Sequence, residues 1–250
     1  MNRSAVGQTP AVTLRAPAKL TLSLRITGVR PDGYHLIDAE MVTLDFGDTL
    51  EFSSGPQRRG RVVLHEHDGT RSVAGSDDLV VRALAVAGCS ADVVVHKRIP
   101  RGAGLGGGSA DAAAVLRFAG VADADLAVSL GADVPFCVSG GRARVRGIGE
   151  LVEPLEHLER TVTLLTPPVM CSTPQVYRAW DELGGPEGEH GNDLEPAALL
   201  VAPELERWRA ELEQASGLRP SLAGSGSTWW VPGSFPGPGR VVARTVPAHT

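Results

Sequence analysis

Cysteine, aromatic residues and long apolar runs are all scarce in this chain. The three cysteines, Cys89, Cys137 and Cys171, are too few and too scattered for a disulfide framework or a metal-ligand spacing. The expectation is a reducing, cytoplasmic setting with no structural metal. Aromatic residues make up 4% of the chain, with only two tyrosines, so an aromatic placed in a turn is worth explaining. No apolar stretch reaches the ~20 residues of a membrane span. The opening MNRSAVGQTP lacks the apolar core of a secretory signal. Positive charge is not in excess either: 24 Lys and Arg against 29 Asp and Glu leave a net charge of −5. That composition lacks the basic stripe of a nucleic-acid binder.

What is abundant is glycine, 30 of 250 residues, within a chain that is 42% hydrophobic and can build a core. Leu20, Leu22, Leu24 and Ile26 alternate with Lys19, Thr21, Ser23 and Arg25, the pattern of a strand with one buried face. Pro31, Asp32 and Gly33 form a turn, because Pro presets φ and Asp and Gly tolerate the bend. Further strands are predicted over 41–52, 61–67 and 93–99. A helix capped by Asp is predicted over 77–87, and another from about Ser109 to Ala119. Beyond Pro154 the pattern shifts. A strand at 161–166, the helix STPQVYRAWDEL, a helix at 203–216, a glycine turn at AGSGSTWWV and a strand at 240–246 follow in turn. Trp229 and Trp230 are adjacent, so a strand sends them to opposite faces. Strands and helices mix without a strict βαβ rhythm, which predicts an α+β fold in two halves.

Between the strand ending near Ile99 and the helix near Ser109 lies PRGAGLGGGSADAA. Glycine fills five of the seven positions from Gly102 to Gly108. A turn needs only one or two such residues. Backbone that must approach a phosphate at a helix N-terminus needs more. Gly102, Gly104 and Gly107 satisfy the spacing G-x-G-x-x-G, but Lys97, Arg98, Pro100 and Arg101 separate the strand from the first glycine, unlike a dinucleotide-binding turn. No Lys-Ser or Lys-Thr closes a Walker A motif. A helix, not a strand, follows the loop, unlike a protein-kinase glycine loop.

Lys19 on this reading alone is a strand lysine facing water. Asp133 in LGADVPF is equally good as a helix N-cap ahead of Pro135. Tyr34 is either a packing residue under the hairpin or a platform for an aromatic ligand. His65 and His67 lie two apart on a strand with no third ligand, so metal binding is rejected.

Five stretches together resemble the GHMP small-molecule kinases: APAKLTLSLRITGVRPDGYH, PRGAGLGGGSADAA, LGADVPF, GNDLEP and AGSGST. The likeness spans residues 14 to 230. It implies a two-domain α+β architecture, with a ribosomal-protein-S5-like domain over 1–157 and a smaller, trimmed ferredoxin-like domain over 158–250. It also implies a reaction: transfer of the γ-phosphate of ATP, carried with Mg²⁺, to the 2-hydroxyl of a CDP-linked methylerythritol. In that reading Lys19 and Asp133 are the catalytic pair. Lys97, Pro100, Arg101, Gly102, Ala103, Gly104, Leu105, Gly106, Gly107, Gly108, Ser109 and Ala110 bind ATP. Thr21, Tyr34, His35, Thr173 and Ser225 bind substrate, with Tyr34 and His35 on the cytidine. The family usually carries Asn where this chain has Thr21, and commonly where it has Asp78 near the adenine. Two alternatives stay open: another GHMP kinase, or a non-catalytic nucleotide-binding relative.

Overall fold

The computed structural model describes residues 11–55 and 60–249. Its frame is a long antiparallel hairpin, β1 (Val12–Val29) and β2 (His35–Ser53). The turn closes through Arg30 N–H to the Tyr34 carbonyl (2.8 Å) and Gly33 N–H to the Arg30 carbonyl (2.9 Å). Three register shifts interrupt the hairpin, between Pro17 and Lys19, Thr21 and Ser23, and Ile26 and Gly28. Gly47 sits opposite the first of these, where a Cβ would lie 2.5 Å from the Ala16 carbonyl oxygen. Each bulge re-aims the side chains beside it. The simple alternation read from the sequence is therefore overturned here. Lys19 and Thr21 are buried, not solvent-facing, at 5% and 1% exposure.

The remaining strands are β3 (Val62–His65), β4 (Arg71–Val73), β5 (Asp92–His96), β6 (Arg142–Gly147), β7 (Leu151–Leu155), β8 (Thr161–Leu165), β9 (Ser221–Leu222), β10 (Trp229–Pro232) and β11 (Arg240–Val246). They form one mixed sheet in the order β4-β3-β5-β2-β11-β8-β10-β9. The long β2 also pairs with β1 along one edge. Along its other edge it meets β6 at residues 37–42, β11 at 43–44 and β5 at 49–53. The last strand thus ties the two halves of the chain together.

Among the described residues the seven helices are α1 (Leu79–Val86), α2 (Gly107–Ala119), α3 (Ala124–Leu130), α4 (Val134–Ser139), α5 (Thr173–Glu182), α6 (Glu195–Val201) and α7 (Leu205–Ser216). Asp78 caps α1, accepting from Val80 N–H at 2.9 Å. In α2, residues 110–116 are all buried, and the alanines let it lie close to the sheet. The acidic piece after it is a helix, α3, capped by Asp123 through the N–H groups of Asp125 and Leu126. Ser172 occupies the N-cap position of α5 but makes no cap hydrogen bond; Pro in the first turn is the start signal that operates. Trp229 and Trp230 are both buried, on opposite faces of β10 and in different cores. The smaller of these cores, including Ala18, Leu20, Ile99, Ala103, Leu105, Leu164 and Trp230, underlies the glycine loop.

Candidate active site

The loop from residue 97 to 106 folds back over β1. Lys19 N–H donates to the Leu105 carbonyl at 3.1 Å. The N–H groups of Ser227 and Thr228 donate to the carbonyls of Gly102 and Ala103 at 3.2 and 3.1 Å. Two glycines make this approach possible. At Gly104 (φ +75°) a Cβ would stand 2.3 Å from the Ala223 carbonyl oxygen, and at Gly106 (φ +68°) one would stand 2.7 Å from Lys19 Cγ. Gly106 is the N-cap of α2. The first backbone N–H to bond within that helix is Ala110, to the Gly106 carbonyl at 2.8 Å. The N–H groups of Gly107, Gly108 and Ser109 therefore stay available at the helix start, where an anion is favoured.

A cleft of about 370 Å³ opens at that helix start. Residues 97, 99–109, 132–133 and 148 line it, together with Thr173, Tyr177, Leu194, Gly224 and Ser225. Lys19 reaches into it from β1. Its Nζ lies 3.2 Å from Asp133 Oδ2 and donates to Thr21 Oγ1 at 3.1 Å. Asp133 occupies the N-cap position of α4, yet its side chain makes no cap hydrogen bond. Its carboxylate faces Lys19 and the cleft instead.

The predicted residues fall in three places. Lys19, Asp133, Lys97 and Pro100 to Ser109 all line the cleft, as do Thr173 and Ser225. Those last two come from distant segments and meet through a 2.8 Å hydroxyl–hydroxyl bond. Thr21 and Ala110 are buried behind the wall and do not line it. Tyr34 and His35 lie outside it. Tyr34 is 59% exposed, with the Arg30 guanidinium 5.9 Å from its ring centroid. The His35 ring rests on Tyr177 (4.7 Å between centroids) and meets Trp180 edge-on (5.5 Å), and its Nε2 is 2.8 Å from Asp181 Oδ1.

Several contributors were not singled out in the sequence. Tyr177 lines the cleft, and burial holds its hydroxyl proton more tightly than usual. The spacing i, i+4 from Thr173 puts both on one face of α5, and that signal was available. Asn192 of GNDLEP donates from Nδ2 to the carbonyls of Leu222 (2.9 Å) and Gly224 (2.7 Å), fixing the second glycine turn. Asp48 and Asp111, both buried, hold Lys97. His65 and His96 stack edge to face, and among the described residues no group of three or more His, Cys, Asp or Glu is placed to hold a metal.

A helix start carrying free N–H groups beside a buried lysine paired with a half-exposed carboxylate is an arrangement that suits phosphoryl transfer to a small acceptor. Comparison with known proteins agrees. The family described as GHMP kinases N terminal domain matches residues 77–141. The 4-diphosphocytidyl-2-C-methyl-D-erythritol kinase of Paracoccus denitrificans is 38% identical over 85% of this chain and 84% of its own length. The enzyme of that name from Granulibacter bethesdensis is 36% identical over 94% and 89%. A crystal structure of 4-(cytidine 5'-diphospho)-2C-methyl-D-erythritol kinase superposes with a TM-score of 0.72 at 32% identity, covering 94% of this chain and 99% of that one. The chain belongs to the GHMP kinases, in the 4-diphosphocytidyl-2-C-methyl-D-erythritol kinase family.

Proposed function

We propose that the protein uses ATP to phosphorylate the 2-hydroxyl of 4-diphosphocytidyl-2-C-methyl-D-erythritol, in the cytoplasm, as a step of non-mevalonate isoprenoid precursor synthesis. The observation that carries the reading is the Lys19–Asp133 pair at 3.2 Å, inside the cleft that the glycine loop walls. The triphosphate lies along the loop, with the N–H groups of Gly107, Gly108 and Ser109 directed at its oxygens. Lys19 offsets the charge that spreads over the transferring group. Asp133 takes the proton of the acceptor hydroxyl. The hydroxyl oxygen forms its bond to the γ-phosphorus as the bond from that phosphorus to the β–γ bridging oxygen breaks. ADP leaves with the electron pair.

Magnesium travels on the nucleotide and keeps most of its ligands as phosphate oxygens and water. The Ser109 hydroxyl on the cleft wall is a hard oxygen donor that would suit it. When bound it would neutralise phosphate charge. The second half of the chain, 158–250, also lines the cleft, and Thr173 and Ser225 are placed there to meet the acceptor's phosphates. Tyr34 and His35, the latter resting on the cleft residue Tyr177, supply the surface for the cytosine. Thr21 acts through Lys19, whose ammonium it orients.

The test is a coupled ADP-release assay on the purified chain, with and without the CDP-linked alcohol, and with mevalonate and homoserine as competing acceptors. Turnover that depends on the CDP-linked alcohol supports the reading. Turnover on another alcohol moves the protein to a different GHMP activity. ATP binding with no turnover on any acceptor makes it a non-catalytic relative.

A further inference from the structure

Lys97 stands at the point where β5 becomes the glycine loop, and its ammonium is already engaged. It is held between two carboxyl groups, Asp48 from β2 and Asp111 from α2, with Asp111 Oδ2 at 2.6 Å. All three side chains are at least nine-tenths buried. Asp48 does a second thing. Its Oδ1 accepts the backbone N–H groups of Arg98 and of Ile99, the latter at 2.8 Å. One carboxylate therefore fixes the two peptide units that open the loop, while the lysine beside it reaches the helix that closes it. The ammonium lies directly under that helix start: a Cβ on Gly107 would be 3.5 Å from Lys97 Nζ.

A loop built of glycine has almost no side chains with which to hold its own shape. Its N–H groups bind an anion well only if they already point the right way, because ordering them on binding weakens affinity. We propose that Asp48, Lys97 and Asp111 form a buried positioning unit for the phosphate loop, with Asp48 the residue that sets its opening peptides. The unit acts through the loop backbone, which it presets for the phosphates. This rests on the reading of the loop as an ATP site.

The unit also predicts an order among variants. Asp48→Asn keeps the size of the side chain and one acceptor oxygen, but it turns an NH₂ toward either Lys97 or the loop amides. Lys97→Met leaves two buried carboxyl groups facing each other with no cation between them. Lys97→Arg keeps the positive charge. The double variant Lys97→Met with Asp111→Asn replaces one of those two carboxyls by an amide that cannot ionise, so it should fold better than Lys97→Met alone.

The experiment is calorimetry with ATP and steady-state kinetics on the full chain, together with melting curves, for these variants. Asp48→Asn is expected to raise both Kd and KM for ATP by about tenfold, with KM for the acceptor within about twofold; tenfold in affinity is about 1.4 kcal/mol. Lys97→Arg should retain more ATP affinity than the Lys97→Met double variant. A folded Asp48→Asn that binds ATP as the parent does would overturn the proposal. So would equal weakening of both substrates, or loss of folding without any preferential loss of ATP, since either makes the cluster plain core. If the parent chain itself fails to bind ATP, the reading of the loop falls, a result distinct from a parent that binds while the variants bind equally well.

Discussion

Asp133 stands at the head of α4 without capping it, and its Oδ2 lies 3.2 Å from the ammonium of Lys19. A carboxylate at that position normally accepts an N–H from the first turn. Here Pro135 occupies the first turn and the carboxylate turns away. The same residue type thus carries two possible roles, and the geometry selects the one that faces the cleft. Lys19 is 6% exposed and Asp133 31%: the lysine is buried behind the pair, and the carboxylate is the member that a substrate can reach.

Asp133→Asn separates the two roles. It removes the proposed acceptor of the hydroxyl proton and is expected to lower kcat by about 10²–10⁴-fold. Since no cap hydrogen bond is lost, the melting temperature should stay within a few degrees. Asp133→Ala sharpens the point: a working cap would cost about 1 kcal/mol on removal, and this one should cost less. A near-parental kcat in the Asn variant would end the general-base assignment. Lys19→Met should depress kcat as well, with the chain still folded.

Gly106→Val tests the loop. Gly106 has φ +68°, and its Cβ would press on the Lys19 stem at 2.7 Å. The substitution therefore strains the backbone and displaces the Lys19 side chain together. ATP affinity should fall tenfold or more, about 1.4 kcal/mol, and kcat should fall with it. Unchanged nucleotide binding in calorimetry would reduce the loop to a turn.

Tyr34→Ala tests acceptor recognition. The side chain is 59% exposed, so its loss should leave the melting temperature alone. Base stacking on an aromatic ring contributes about 1–3 kcal/mol. KM for the CDP-linked alcohol should therefore rise by roughly tenfold or more, with KM for ATP unchanged. Equal effects on both ligands would show that Tyr34 has no part in holding the base.

The strands and helices that define the frame were legible because their periodicity is local. β1, β2, β5, α2 and β11 all stand close to where alternation or helical spacing puts them. α3 and α6, each seven residues, are too short to show a helical period, and the N-cap of α6 is Leu194, which offers no side-chain cap. The burial of Lys19 and Thr21 was not legible, because it depends on bulges at 17–19 and 21–23 that no composition signals. Asp48 was missed for a different reason. It reads as an ordinary polar residue in a strand, and it acquires its work only when β2 brings it under the loop 50 residues later in the chain. The pairing of Thr173 with Ser225 likewise exists only in three dimensions.

Asp111 makes a prediction about pH. Burial is the main cause that pushes its carboxyl up to about 8; Lys97 opposes this, and the charge of Asp48 adds to it. Burial pulls the ammonium of Lys97 the other way, but Asp111 and Asp48 together outweigh it and hold its value above the ordinary one. Oδ1 of Asp111 is buried and finds no hydrogen-bond partner among the described residues. The unfolded chain releases the Asp111 proton near the ordinary value of 3.8. Between that value and about 8 the folded chain holds a proton that the unfolded chain does not. Stability must then fall as pH rises through this window, by at most about 1.4 kcal/mol per pH unit for one group. Asp111→Asn removes the titration while keeping an oxygen for Lys97, and it leaves the Lys97–Asp48 pair balanced. Every other titrating group is common to both proteins, so the difference between them isolates this one. The melting temperature of the Asn variant relative to the parent should climb steadily from about pH 4 to about pH 8 and level off above. Parallel melting curves across that range would show that Asp111 is ionised in the folded chain throughout, held so by Lys97.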